Sequence, residues 1–462
     1  MLALNPVLDH LDKSLDVSLE RLFGLLRIKS ISTDPDFKDD VRKAAEWLAE
    51  DLRTIGFEAS VRDTTGHPMV VAHHDGPSPD APHVLFYGHY DVQPVDPLDL
   101  WHDDPFDPKI KTGESGLKII TGRGTADDKG QLMTFVEACR AYKAVHGKLP
   151  CEVTIFFEGE EESGSPSLKP FLEAHGEELK ADFALVCDSG MWDAQTPAIT
   201  VGLRGLVGEE VIVKAADRDL HSGGYGGAAA NPVRILAKIL ADMHDETGRV
   251  TIPGFYDGVE ETPKQILDSW NGLGENAETF LGPIGLSIPS GEKGRSVLEL
   301  IWARPTAEFN GISGGYTGKG FKTVIAAEAI AKVSFRLVHK QNPEKIRAAF
   351  RQFVQQRIPA DCSVEFHPHG GSPAIQLSYD SPFLVTAKNA LSDEWPKPAV
   401  MIASGGSIPV VGDFQTYLGM ESMLVGFGLD DDRIHSPNEK YNLESFHKGQ
   451  RSWARILDAL AK

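Results

Sequence analysis

Three short apolar runs, each ending in groups that bind protons or metals, constrain the fold of this chain more than any other feature. Residues 84–87 (VLFY) break at Gly88 and deliver His89 and Asp91. Residues 152–157 lead into the acidic stretch 158–162, and residues 184–187 lead into Asp188. A helix-period segment begins near Lys129, between the first run and the second. Near-continuous apolar strands alternating with helices are the pattern of a largely parallel sheet covered on both faces. Such a sheet presents its ligand-binding groups beyond the carboxyl ends of its strands. His89 and Asp91 are two residues apart, so an extended backbone sends both to the same side.

The flanking sequence gives this sheet its neighbours. Apolar periodicity predicts helices over 7–28 and over 39–55, the second ending at Gly56, then strands over 57–62 and 69–72. Residues 92–118 are rich in Pro, Asp and Gly and read as an irregular loop. The style changes near Gly202. A strand over 207–215, a helix from Asn231, a broken stretch over 261–310, a strand over 331–338, a helix over 343–357 and a strand over 363–367 describe a smaller α+β domain. A helix over 381–393, strands over 399–402 and 423–426 and a helix from Leu443 then resume the first style. The expected organisation is a catalytic domain over 1–202 and 373–462, interrupted by an inserted domain over 203–372.

Charge and cysteine usage exclude several function classes. Forty-six basic against 67 acidic residues leave a formal charge of −21, which repels nucleic acid and anionic membrane surfaces. No apolar run approaches the ~18 residues of a membrane span. The opening residues are acidic and amphipathic, unlike a signal peptide. Cys139, Cys151, Cys187 and Cys362 are scattered without metal-ligand spacing, which points to a reducing compartment, the cytoplasm.

Five positions at strand ends or adjoining turns carry chemistry: His89, Asp127 (or Asp128), Glu161 or Glu162, Asp188 and His435. Two imidazoles and several carboxylates suit one or two divalent, zinc-like ions, and a carboxylate bridging two ions makes a hydrolytic site. Each member has a plainer use. Asp127 and Asp128 before Lys129 fit a helix N-cap, Glu160–Glu162 fits a solvated charge run, and His435 stands in a polar loop. Asp188 directly after FALVC needs a partner or a place at the sheet rim.

The ordered set GHYDVQP, GRGTADDKGQ, EGEEESGS, the Asp188 strand end, LRG at 203–205, DLHSGGYGG, KTVI at 322–325, FRLV at 335–338, GGSIP at 405–409 and HSPNEK spans nearly the whole chain. It resembles the aminoacylase/carboxypeptidase G/carnosinase family of di-zinc metallopeptidases, most closely its carnosinase-like dipeptidase branch. The resemblance implies two Zn2+ per subunit, with Mn2+ or Co2+ able to substitute. In it, Asp127 bridges the ions, His89 and Asp188 complete one, and Glu162 and His435 complete the other. It implies Glu161 as general base to a zinc-bridged water, Asp91 as the clamp on His89, and a cis peptide between Asp127 and Asp128. His221 becomes the oxyanion donor, acting in trans in a homodimer formed through the inserted lid domain. Arg336 becomes the clamp for the substrate carboxylate, with Ser407, Thr323 and His369 facing substrate. Asp188 is the shorter acid at a position where carboxypeptidase and deacylase members tend to carry Glu, which favours dipeptides over N-acyl amino acids. Two departures stand out: Ala326 replaces a frequent proline after KTVI, and residues 430–432 make the loop before His435 unusually acidic. Hydrolysis of dipeptides is therefore the expected function. An N-acyl amino-acid deacylase or carboxypeptidase with the same ions is the alternative, and a non-catalytic peptide-binding module the rival of another class. A binder needs no general base, and a phosphoesterase would need a cationic cradle that the sequence lacks.

Overall fold

The computed structural model describes residues 2–406 and 408–462. The chain forms two compact units, one of Met1–Val201, Leu377–Ile402 and Asp413–Lys462, the other of Gly202–Gln376 and Ala403–Gly412. The 403–412 segment thus clusters with the insertion, whereas the sequence reading gave it to the first domain.

In the first unit the strands lie in the order Glu58–Arg62, Met69–His74, Glu152–Glu158, His83–His89, Phe183–Val186, Ser422–Leu424 and Ala198–Leu203. The middle four pair in parallel, with His89 opposite Glu158 and Tyr87 opposite Val186. The outer pairs are antiparallel, so the sheet is mixed. Its parallel core is the part that carries the site. Helix Lys129–His146 crosses the centre, with every residue from Lys129 to Cys139 buried. Phe86 stacks on Phe135 of that helix at 3.8 Å, and Trp453 of helix Leu443–Leu460 meets Phe86 edge-on at 5.4 Å. Such aromatic pairs add about 0.5–1.5 kcal/mol each beyond area burial, which fixes the strand whose end bears His89.

Two local expectations changed. The helix expected over 7–28 is two helices, Leu4–Lys13 and Leu15–Leu26. The break is Ser14, whose hydroxyl donates to the His10 carbonyl at 2.8 Å, a local bond that competes with helix continuation. The expected loop over 92–118 contains strand Lys109–Thr112, which pairs with Lys118–Thr121, itself paired with Lys440–Asn442.

The second unit is built on an antiparallel sheet ordered Thr306–Gly314, Glu328–Leu337, Gly205–Lys214 and Ser363–Ser372. Along Gly205–Lys214 burial alternates residue by residue, sending Val207, Val211 and Val213 inward. Helices Pro232–Ala241 and Pro343–Gln355 cover that face, each opened by an asparagine N-cap followed by proline. The insertion starts and ends on one antiparallel pairing, with Leu203 opposite Ile375 and Gly202 opposite Gln376. Among the described residues no helix is long and apolar enough to cross a membrane.

Candidate metal centre

Five proposed ligands come together here: His89, Glu162 and Asp188 at or just past the carboxyl ends of parallel strands, Asp127 on the turn before helix Lys129–His146, and His435 on the loop after strand Ser422–Leu424. His89, the last residue of its strand, is wholly buried, and its Nε2 lies 3.0 Å from Asp127 Oδ1. Asp127 Oδ2 lies 2.9 Å from His435 Nε2, which is 3.2 Å from Glu162 Oε2. Donor atoms of His89, Asp127 and Asp188 fall within 4.8 Å of one another, as do those of Asp127, Glu162 and His435. Asp127 belongs to both groups and Asp128 to neither. The peptide between them is cis.

Asp91 is the hub behind these groups. Its Oδ1 lies 3.4 Å from His89 Nδ1, and its carboxylate accepts the Ser32 hydroxyl at 2.6 Å. It also accepts the backbone N–H of Glu161 at 3.3 Å and of Glu162 at 3.0 Å. Asp91 therefore sets the imidazole through its backbone carbonyl, which lies 3.1 Å from His89 Nδ1, with its carboxylate close by, and the acidic turn through that carboxylate. Gln93, two residues on, donates to Glu162 Oε2 at 2.7 Å. Ser32 and Gln93 were not singled out from the sequence, although Gln93 lies inside GHYDVQP. Asp128 sits at the N-cap of helix Lys129–His146 but makes no capping bond. Its carboxylate instead accepts the His89 N–H at 3.1 Å and the Cys187 thiol at 3.2 Å.

Electrostatics in the cluster favour a cation. Burial pushes the Asp188 carboxyl up to about 7, reinforced by the charge of Asp127. Burial likewise raises Glu161, with Glu162, Asp91 and Asp127 adding repulsion against the charge of His89. Burial opposes charge on Asp127 too, but hydrogen bonds from His435 and His89 hold it below the usual carboxylate range. Burial disfavours a charged His89, yet its bonds to Asp127 and Asp91 hold it well above an ordinary imidazole. Bonds to Asp127 and Glu162 push His435 up to about 10. Positive charge is thus favoured where both imidazoles meet the acids. Two nitrogen donors among carboxylate oxygens suit zinc-like divalent ions, so the residues present fit such a group.

The remaining site candidates are in the second unit. His221 is exposed, accepts the Gly223 N–H on Nδ1 at 3.0 Å, and holds Nε2 3.5 Å from the Thr323 hydroxyl. Their strands pair, with His221 opposite Val324. Arg336 lines a cavity of about 620 Å³ together with Arg204 and Glu308. His369 is exposed at an irregularity in the register of strand Ser363–Ser372. Ser407 lies outside the described residues.

Two imidazole–carboxylate groups joined by one aspartate, gathered beside the ends of parallel strands, define a metal-dependent hydrolase site. The chain belongs to Peptidase family M20/M25/M40, which its residues 85–459 match. It is 30% identical over 480 residues to the Cys-Gly metallodipeptidase DUG1 of Candida albicans, an alignment covering all of this chain and 98% of that protein. It is 28% identical to the human Beta-Ala-His dipeptidase, covering 99% of this chain and 93% of the relative. Among solved structures, the di-peptidase Dug1p of Saccharomyces cerevisiae superposes with a TM-score of 0.74 at 26% identity, covering 99% of this chain and 98% of that one. The metallo-carboxypeptidase Sso-CP2 of Sulfolobus solfataricus superposes with a TM-score of 0.77 at 29% identity, covering 96% and 99%.

Proposed function

We propose that the protein is a dipeptidase working with two divalent ions, zinc in the first instance, that share Asp127. The observation that carries this reading is the meeting of two separate donor groups on that one carboxylate. His89 and Asp188 would complete the protein ligands of one ion, and Glu162 and His435 those of the other. Bound ions would supply Lewis acidity, polarising the scissile carbonyl and lowering the pKa of water toward neutrality. Glu161 is the proton acceptor of the reaction. Its carboxylate makes no hydrogen bond to a described residue, and burial raises its pKa toward the range where a general base is effective. Asp91 orients the His89 ring and the turn bearing Glu161 and Glu162. His221 donates to the developing oxyanion, reaching the site of the partner subunit in a homodimer, and Thr323 stands beside it. Arg336 holds the substrate carboxylate, for which a guanidinium fork is well shaped, while His369 faces substrate. The free dipeptides in the names of the Cys-Gly and Beta-Ala-His relatives support dipeptides over N-acyl amino acids. A cytoplasmic setting is supported by four free cysteines.

The test is a panel of free dipeptides and N-acetylated amino acids, assayed on zinc-loaded, chelated and reconstituted protein. Dipeptides should turn over, activity should vanish on chelation, and Zn2+, Mn2+ or Co2+ should restore it. Equal turnover of N-acetylated amino acids would transfer the reading to a deacylase. Full activity in protein free of divalent metal would refute it.

A further inference from the structure

Glu439, four residues past His435, is completely buried, and its carboxylate accepts four hydrogen bonds. Oε2 takes Arg123 Nη1 at 2.8 Å and the Gly124 N–H at 3.0 Å. Oε1 takes the Ala126 N–H at 2.9 Å and the N–H of Asp127 itself at 3.2 Å. The Glu439 carbonyl accepts the Gly122 N–H at 3.1 Å. The turn GRGTAD thus wraps its backbone around one side chain as a nest wraps an anion, with Gly122 and Gly124 at the positive φ values (147° and 82°) this winding uses. Arg123 extends the connection, since its Nη2 donates to the Pro94 carbonyl at 3.0 Å, at the end of the stretch that begins with His89. One buried ion pair therefore joins the loops that carry His89, Asp127 and His435.

We propose that Glu439 is a positioning residue of the metal centre. By gripping the Asp127 N–H from the loop that bears His435, it fixes the shared carboxylate against the imidazole on the same loop. Arg123 carries that registration to the His89 loop. The inference rests on the proposed role of Asp127 as the ligand common to both ions. A glutamine cannot replace the carboxylate. Its oxygen can serve one pair of donors, but its NH2 then faces the other pair, whichever way the amide is turned. Supporting groups behind metal ligands typically change ion affinity by about 10–100-fold when removed.

Glu439→Gln and Arg123→Lys test this on the full chain, stripped of metal and titrated with Co2+ against a competing chelator. Far-UV circular dichroism checks the fold, and the d–d absorption reports the ligand geometry. Wild type should take up two Co2+. Glu439→Gln should weaken both ions by about 10–100-fold, because both share Asp127, and should alter the d–d bands even at saturation. Arg123→Lys keeps the charge but cannot reach Glu439 and Pro94 with one fork, so it should weaken the ions by about tenfold and alter the saturated spectrum in the same sense. A residue that only stabilises the fold would lower the melting temperature and leave the saturated spectrum unchanged. Wild-type affinity and spectrum in either folded variant would therefore overturn the proposal. If Glu439→Gln does not fold, Arg123→Lys decides by the same criterion. Failure of wild type to bind Co2+ would remove the proposed function together with this inference, whereas binding by wild type and variants alike would remove the inference alone.

Discussion

Glu158 closes the strand beside the one bearing His89, and its stability contribution has a calculable pH dependence. The side chain is fully buried, and its carboxylate accepts the Tyr87 hydroxyl at 2.7 Å. Burial pushes its pKa from an ordinary 4.5 to about 8, against that hydrogen bond. Between those values the folded chain keeps a proton that the unfolded chain has released. Its stabilising contribution is therefore complete below about pH 4.5 and is lost as the pH rises through about 8. At about 1.4 kcal/mol per pKa unit the whole window is worth on the order of 5 kcal/mol. Glu158→Gln retains the shape and removes the ionisation. Relative to wild type, the variant should gain about 1.4 kcal/mol per pH unit between roughly pH 5 and 8, or about 1–2 °C in melting temperature per unit for a chain of this length. Thermal melts of both proteins at matched metal concentration from pH 5 to 8 provide the measurement. Other buried acids, such as Asp432 at about 6, bend both curves alike and cancel in the difference. A melting-temperature difference that stays flat with pH, or narrows as pH rises, would refute the reasoning.

Three further outcomes follow from the site. Glu161→Gln should bind two ions normally and lose about 10²–10⁴-fold in kcat, while Glu162→Gln should lose ion affinity; metal titration and steady-state kinetics would expose the reverse pattern. Amidation of the dipeptide C-terminus should lower kcat/KM by roughly 2–4 kcal/mol, and Arg336→Met should erase the difference between amide and acid; an unchanged discrimination would remove Arg336 from the carboxylate site. Subunits of His221→Ala and Glu161→Gln, mixed at equal amounts and allowed to exchange, should recover about a quarter of wild-type activity if His221 acts in trans, and essentially none if it acts within its own chain.

The strand ends were legible because burial writes itself as an apolar run and its termination as a charge. Residues 84–87 and 184–187 therefore located His89 and Asp188 without any structure. The antiparallel outer pairs were not legible, since an apolar strand carries no mark of its neighbour's direction. Strands Lys109–Thr112 and Lys118–Thr121 were hidden because each is only four residues long and Ile120 is the one buried side chain between them, too little for an apolar run to show. Asp128 shows how a sound local argument loses to tertiary contacts. Before a helix it reads as an N-cap, yet its carboxylate is taken by His89, at the end of one strand, and by Cys187, just past the end of the next. The Arg123–Glu439 pair was invisible for a related reason, joining residues 316 apart in sequence whose charges look like surface charges until the fold closes over them.

The pairing of Leu203 with Ile375 has a topological consequence. Opposed residues on antiparallel strands stand only about 5 Å apart, the span that an ordinary two-residue turn closes. From the viewpoint of the larger sheet, everything between those two positions occupies the place of a hairpin tip. The strand register on either side is the same whether that tip is a tight turn or a folded body with its own sheet. Chain length in the excursion adds only a logarithmic closure entropy, and the anchored ends have already met that requirement. Such a junction lets the excursion change in size and surface without disturbing the register of the strands that present His89 and Asp188.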